Sequence, residues 1–458
     1  MIPLRIAGRR FWLWGLVFSL ASAAVICNSP NVAFVDFPQF WAAGRTVGSP
    51  DLLDPARHGA WEVLHGIVLD FFPYPPATAW LFAPFAAFSL PVGFWLHALA
   101  MTALVGIGGI LGARLYGLDD RVGMMGAFAW GPCMASVSFG QNAPLGLVFA
   151  LLAIEGLRRD SYVLAGLGVG LLLYKPTLAI PLLGLMLLRR RWRALGVAAV
   201  VGCGWYVLSV GATAGDWAWP GQFVAGLGDW YHRTTAFNPA KATSISGVLI
   251  GYGAPAIVAW GISLAVVILS IPRLLKAPMV EAGAGACLLG LAVSPHSLNY
   301  EAVLALPAIL WMLGGTGAGI SEPARTRLIV AVYVAGLAHL ISTWAGLSSV
   351  GVAVLALTAI WISGWQRFET TPGSPADPAP AQMISVPLPS PPRPQGRRNF
   401  VFRMRVGRDR HAVVRHNRCR IARGRQGHDP RPRLDGAGQS GHLAGEADRH
   451  GSLAGARG

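Results

Sequence analysis

The 458-residue chain is 53% hydrophobic and 13% charged, with a mean hydropathy of +0.49. That is about half the charge of a soluble domain, and repeated apolar runs of bilayer-spanning length make the fold all-α, a polytopic membrane protein. The net charge of +16 does not argue for nucleic acid, because the stretch from Arg393 onward alone holds 16 Arg against 5 Asp or Glu.

In chain order, residues 1–10 are short and basic, and Arg9 and Arg10 flank the apolar run 11–27. No clear small-x-small cleavage site precedes the following loop, so the run reads as an uncleaved first span rather than a signal peptide. Residues 28–76 are the one long segment before 365 that is neither apolar enough to span nor a short connector. They carry Asp36, Asp51, Asp54, Arg57, His58 and Asp70, and close on Phe71-Phe72-Pro73-Tyr74-Pro75-Pro76. The apolar stretch 77–89 is too short for a span and is expected to lie in the interface, with Pro75 and Pro76 at its helix start.

Short basic connectors then recur at 114–121, 158–159, 189–193, 273–276, 325–327 and Arg367. Placing them all in the cytoplasm predicts spans near 92–115, 122–139, 143–157, 161–174, 176–188, 194–212, 246–270, 279–294, 299–315, 327–345 and 347–365. With the first, that makes about twelve. Outside the cytoplasm this leaves the 28–76 loop, Gly140-Gln141-Asn142, Tyr174-Lys175-Pro176, the loop 212–246, and Ser294 to Glu301. Most of the polar residues outside the arginine clusters fall on that side, which marks it as the working face.

Two regions follow: a membrane domain, 1–365, and a tail, 366–458. Residues 370–394 are rich in Pro, Ser and Ala and are expected to be disordered or extended. The Arg-, Gly- and His-rich remainder lacks apolar periodicity and reads like a GC-rich gene translated out of frame. The five Cys residues are scattered with no CxxC pair, and are read as packing residues.

Several short motifs stand in a familiar order. These are Asp36 after the first span, Ala42-Ala43-Gly44, Asp51-Leu52-Leu53-Asp54, Tyr74-Pro75-Pro76 with Pro84 and Leu90-Pro91, and Gly140-Gln141-Asn142. The segment from Ala165-Gly166 to Lys175-Pro176 and Arg190-Arg191-Trp192-Arg193-Ala194 complete the set. In this the chain resembles glycosyltransferase family 87 over roughly 11–365, best in the first 200 residues. The resemblance implies a GT-C architecture in the cell membrane. It implies transfer of a hexose, often mannose, from a polyprenyl-phosphate donor to a lipid-linked or glycan acceptor outside the cytoplasm. Its partners are then membrane lipids, the lipid-linked donor and the acceptor, with no nucleic acid. No cofactor is required by it, and a divalent metal is left open. The acid of the first outer loop is the family's catalytic residue, by position Asp36; the plain alternative is a solvated loop acid. The second outer loop fits the pattern poorly.

Such a transfer needs a base for the acceptor hydroxyl and a cation for the departing phosphate. Lys175, one of three lysines, sits between two apolar runs whose far ends carry arginine, and is the candidate cation. Snorkelling to the surface is the competing account. Tyr74, Gln141, Asn142, Arg233, His296 and Asn299 are candidate substrate contacts, Gln141 and Asn142 through sugar hydroxyls or, equally, as a helix cap. His232, Lys241 and Glu301 accompany them, while Asp51 and Asp54 read as turn or cap residues. The alternative function is a multi-pass transporter of a lipid or small polar solute, which predicts internal repeats and polar midplane helices. No clear repeat is found.

Overall fold

An apolar chain in a bilayer satisfies its backbone within helices. The computed structural model describes residues 13–17, 19–21, 23–24, 36–54, 57–58, 71–234, 239–294, 296–314 and 322–363. Among them the fold is helical, with one isolated antiparallel bridge joining Ala242 and Leu298. All belong to a single unit, Met1–Pro378. The first span expected at 11–27 and the loop 28–76 are described only in part, and the tail from 364 lies outside the described residues.

Helix α1 (Phe37–Thr46) starts at Asp36 with proline in its first turn and buries every residue except Arg45, so it is a plug rather than a surface strap. A 3₁₀ turn at Pro76–Thr78 leads into α2 (Ala79–Ala86), whose 8 residues reach only about 12 Å. It is no span, in keeping with the reading of 77–89. Next come α3 (Leu90–Leu115), α4 (Asp120–Ala129) and α5 (Gly131–Ser138). The span expected at 122–139 is therefore two helices, broken at Trp130. Proline in the first turn of α5 cannot continue the preceding ladder.

The chain continues through α6 (Ala143–Arg158), α7 (Tyr162–Leu172), α8 (Pro176–Leu188), α9 (Trp192–Ala212) and α10 (Trp219–Thr234). The stretch expected as a span at 246–270 is split into α11 (Ile245–Gly251) and α12 (Ala256–Lys276) by Gly253, at φ +87°, and by Pro255. Helix α12 also runs further than expected, so Arg273 and Lys276 lie in its last turn. Helix α13 (Met279–Val293) is followed by a 3₁₀ segment, Asn299–Ala305, that leads into α14 (Leu306–Gly314). The expected 327–345 span is interrupted at Ala338, between α15 (Glu322–Leu337) and α16 (His339–Trp344), before α17 (Ser349–Ser363). By length and composition α3, α9 and α12 can cross a membrane alone, whereas α7, α8, α13 and α17 are apolar but shorter.

Glycine sets the closest packing. Helix α7 lies between α6 and α9: a Cβ on Gly168 would come within 2.5 Å of the Ala153 nitrogen, and one on Gly166 within 2.5 Å of the Ala194 oxygen. Small residues at such spacing let helix backbones approach where lipid supplies no hydrophobic drive. In α3, Gly108 faces Leu147 and Gly112 faces Leu151, so α3 and α6 run parallel and bring Arg114 and Arg158 to one end. Arg191 joins Asp160 there at 2.7 Å, and Arg189 reaches the carbonyls of Leu274 and Ala277. Helix α15 meets α4 through Tyr333, which donates to the Gly126 carbonyl at 3.0 Å, and meets α5 where Gly131 faces Gly336, so its Arg325 and Arg327 start from that end too. Arg45 and Arg57 belong to the opposite end, where the Gly48 nitrogen meets the Ala212 carbonyl at the far terminus of α9.

Candidate active site

At the end away from the arginine cluster, five separated segments converge, each delivered by a local feature of its own sequence. Asp36 occupies the residue before α1, its nitrogen bonded to the Phe139 carbonyl at 3.3 Å. The chain around Phe139 turns through Gly140 at φ +73°, and a Cβ there would meet Phe37 at 2.5 Å, so glycine is required. That turn presents Gln141, whose amide Nε2 donates to Asp36 Oδ2 at 2.8 Å. Tyr74 follows Pro73 and is held against Phe40, with ring centroids 5.3 Å apart. Its hydroxyl donates to Gln141 Oε1 at 3.5 Å and accepts from Lys175 Nζ at 3.3 Å.

Lys175 precedes α8, where Pro176 opens the helix. Its ammonium pairs with Glu301 Oε1 and lies 5.2 Å from the centroid of the Tyr74 ring and 6.0 Å from that of Tyr300. The Lys175 side chain is 14% exposed and that of Glu301 not at all. A lysine snorkelling to water would not be buried against a carboxylate in this way. Glu301 is supplied by the 3₁₀ segment before α14, anchored by Trp130, whose Nε1 donates to the neighbouring Ala302 carbonyl at 2.8 Å.

The site therefore holds an acid–amide–phenol–ammonium–acid chain, Asp36–Gln141–Tyr74–Lys175–Glu301. Burial pushes the Asp36 carboxyl above its ordinary range, while the Gln141 hydrogen bond and the charges of Lys241 and Lys175 pull it back. A carboxyl group of raised proton affinity and an ammonium thus share one cluster. Asn142 is buried beside it, and its carbonyl accepts from the Tyr174 hydroxyl at 3.1 Å. Among the described residues, both polar atoms of its side chain, and Oε2 of Glu301, meet no hydrogen-bond partner. Buried polar groups left open in this way are what a polar ligand would satisfy.

The remaining sequence candidates divide. His296 is close enough to feel Glu301 and Lys175, and burial takes its imidazole down to about 4 despite the Glu301 charge, so it stands neutral. Asn299 is buried at the start of the 3₁₀ segment. Arg233 belongs to α10, but its side chain lies outside the described residues, as does that of His232. Asp51 and Asp54 pair with Arg57 at 2.7 and 3.5 Å, and Asp54 Oδ1 accepts from the Arg57 nitrogen, which is cap work at the surface. Among the described residues no three His, Cys, Asp or Glu side chains gather as a metal site. Sequence reasoning grouped Glu301 with its turn but did not pair it with Lys175, 126 residues away. The available signal was a carboxylate opening an apolar run, which needs a partner.

The model for glycosyltransferase family 87 matches residues 71–307, just over half of the chain. The match takes in Tyr74, Gln141, Asn142, Lys175, Arg233, His296, Asn299 and Glu301 and begins after Asp36. No curated protein and no solved structure matches the chain.

Proposed function

The chain belongs to glycosyltransferase family 87, and from that premise we propose a membrane hexosyltransferase that uses a polyprenyl-phosphate sugar, with mannose as the hexose. The acceptor is a lipid or glycan on the extracytoplasmic face of the cell membrane, reached by a chain that passes the bilayer about twelve times. The supporting observation is the single hydrogen-bonded cluster that joins Asp36 to Lys175 through Gln141 and Tyr74.

The acceptor oxygen attacks the anomeric carbon, its proton passes to an Asp36 oxygen, and the bond from carbon to the phosphate oxygen breaks. The electron pair leaves with the polyprenyl phosphate, whose growing negative charge Lys175 meets. The Asp36 carboxylate also serves to stabilise the positive charge that develops on the sugar ring. Asn142, His296 and Asn299 offer neutral hydrogen-bonding groups for sugar hydroxyls, and Arg233 a further cation.

The test is transfer of label from polyprenyl-phosphate mannose into a lipid extract by the purified protein in lipid nanodiscs. Asp36→Asn keeps shape and removes proton affinity, so transfer falls by about 10²–10⁴ at unchanged protein yield. Transfer at the parent rate would remove Asp36 from the mechanism. Label drawn from a nucleotide sugar instead would overturn the donor class.

A further inference from the structure

The arginine end carries a second feature that the transfer chemistry does not use. A cleft of about 400 Å³ opens between the α6–α7 turn and the α8–α9 turn. Its walls are apolar, from Gly156, Leu157, Ala165 and Ala194, and its rim is cationic, from Arg190, Arg191 and Arg193. We propose that this cleft binds the phosphate headgroup of an anionic glycerophospholipid from the adjoining leaflet.

Charge accounting singles out two of the arginines. Glu155 takes Arg158 and Arg159, Asp160 takes Arg191 at 2.7 Å, and Arg189 is engaged on two carbonyls. Arg190 and Arg193 meet no carboxylate among the described residues, and Arg193 rests 6.0 Å over the Tyr162 ring. Both are exposed at the cleft. Arg190 and Asp160 also each close a helix at φ 54°, a position where glycine is the usual occupant. Here both positions carry side chains, and those side chains line the cleft.

The surroundings select a lipid over a soluble anion. Tyr162 and Trp192 flank the cleft at 48% and 62% exposure, amphipathic rings of the kind that settle at the headgroup level. Over the next two turns or so, Val163 and Leu167 on α7 and Val200 on α9 present exposed apolar surface. A molecule with its phosphate on Arg190 and Arg193 has acyl chains where that surface begins. Basic pockets at the ends of membrane helices suit lipid phosphates for this reason.

Native mass spectrometry of the purified full-length protein in neutral detergent tests the assignment, with phosphatidylglycerol and phosphatidylcholine of matched chains as probes. The parent protein should retain phosphatidylglycerol at least about tenfold better, and R190Q/R193Q should lose that preference. R190K/R193K keeps the charge and should keep most of the preference, which separates loss of binding from loss of fold. Equal retention of the two lipids, or an undiminished preference in R190Q/R193Q, would overturn the site. Thermal protection by inorganic phosphate equal to that by phosphatidylglycerol would make it a soluble-anion site and sink the lipid assignment.

Discussion

At the scale of single residues, the Lys175–Glu301 pair governs how the site is tested. Breaking a buried pair by removing one partner costs about 3–5 kcal/mol, because the other charge is stranded. Lys175→Met or Glu301→Gln alone should therefore lower membrane abundance and thermal stability as well as transfer. The double change Lys175→Met with Glu301→Leu removes both charges, so stability should recover while transfer stays lost, measured by unfolding temperature beside turnover. Recovery of transfer in the double variant would show that the pair is structural only. Asp36 gives an independent handle. A base must be ionised to accept a proton, and its raised affinity places the acid limb of the pH–rate profile above the ordinary carboxylate range. The Gln141 amide favours the ionised form, so Gln141→Met raises the Asp36 affinity further. The acid limb of kcat/KM should move to higher pH; a shift to lower pH would refute the contact's role. Of this constellation, Lys175 was legible because a lone lysine between apolar runs is costly and needs a reason. Its partner was not, since no spacing rule links residues so far apart in the chain.

At the scale of elements, helix content and most helix positions followed from apolar run length, and the breaks followed from signals that the run length masked. Pro132 after Trp130, and Gly253 with Pro255, carried the break information inside stretches that hydropathy alone joined. What hydropathy could not show is how tightly α7 is held between α6 and α9. Gly168 has no room for a methyl group against Ala153, whereas Gly204, on the exposed side of α9, has nothing within 4 Å. Gly168→Ala must push α7 off α6, an overpacking cost of about 1–3 kcal/mol. Gly204→Ala replaces a poor helix former with a good one and should be neutral or stabilising by about 0.5–1 kcal/mol. Unfolding temperatures in detergent compare the two directly. Because Lys175 hangs from the end of α7, Gly168→Ala should also depress transfer, and equal stability of the two variants would refute the packing account.

At the scale of the whole molecule, helix lengths set where the site lies. Helices α7 and α8 connect the arginine end to Lys175 with 11 and 13 residues, about 17 and 20 Å of rise. The 21 residues of α9 rise about 31 Å and match the roughly 30 Å hydrocarbon core, so Lys175 lies recessed below the far boundary. Helices α1 and α2, too short to span, pack at that end: Phe40 of α1 meets the Tyr74 ring, and Thr78, just before α2, donates to the Tyr174 carbonyl at 3.1 Å. Arginines collect on the cytoplasmic side of membrane proteins, so the proposed orientation has the recessed mouth outside. Two exposed side chains mark the ends: Arg57, at 65% exposure, beside the mouth, and Asp160, at 72%, in the α6–α7 turn. In a cysteine-free background, Arg57→Cys should react with an impermeant maleimide on intact cells, and Asp160→Cys only after the membrane is opened. The reverse pattern would turn the molecule over, place the Asp36 cluster toward the cytoplasm, and require the sugar donor to be presented there.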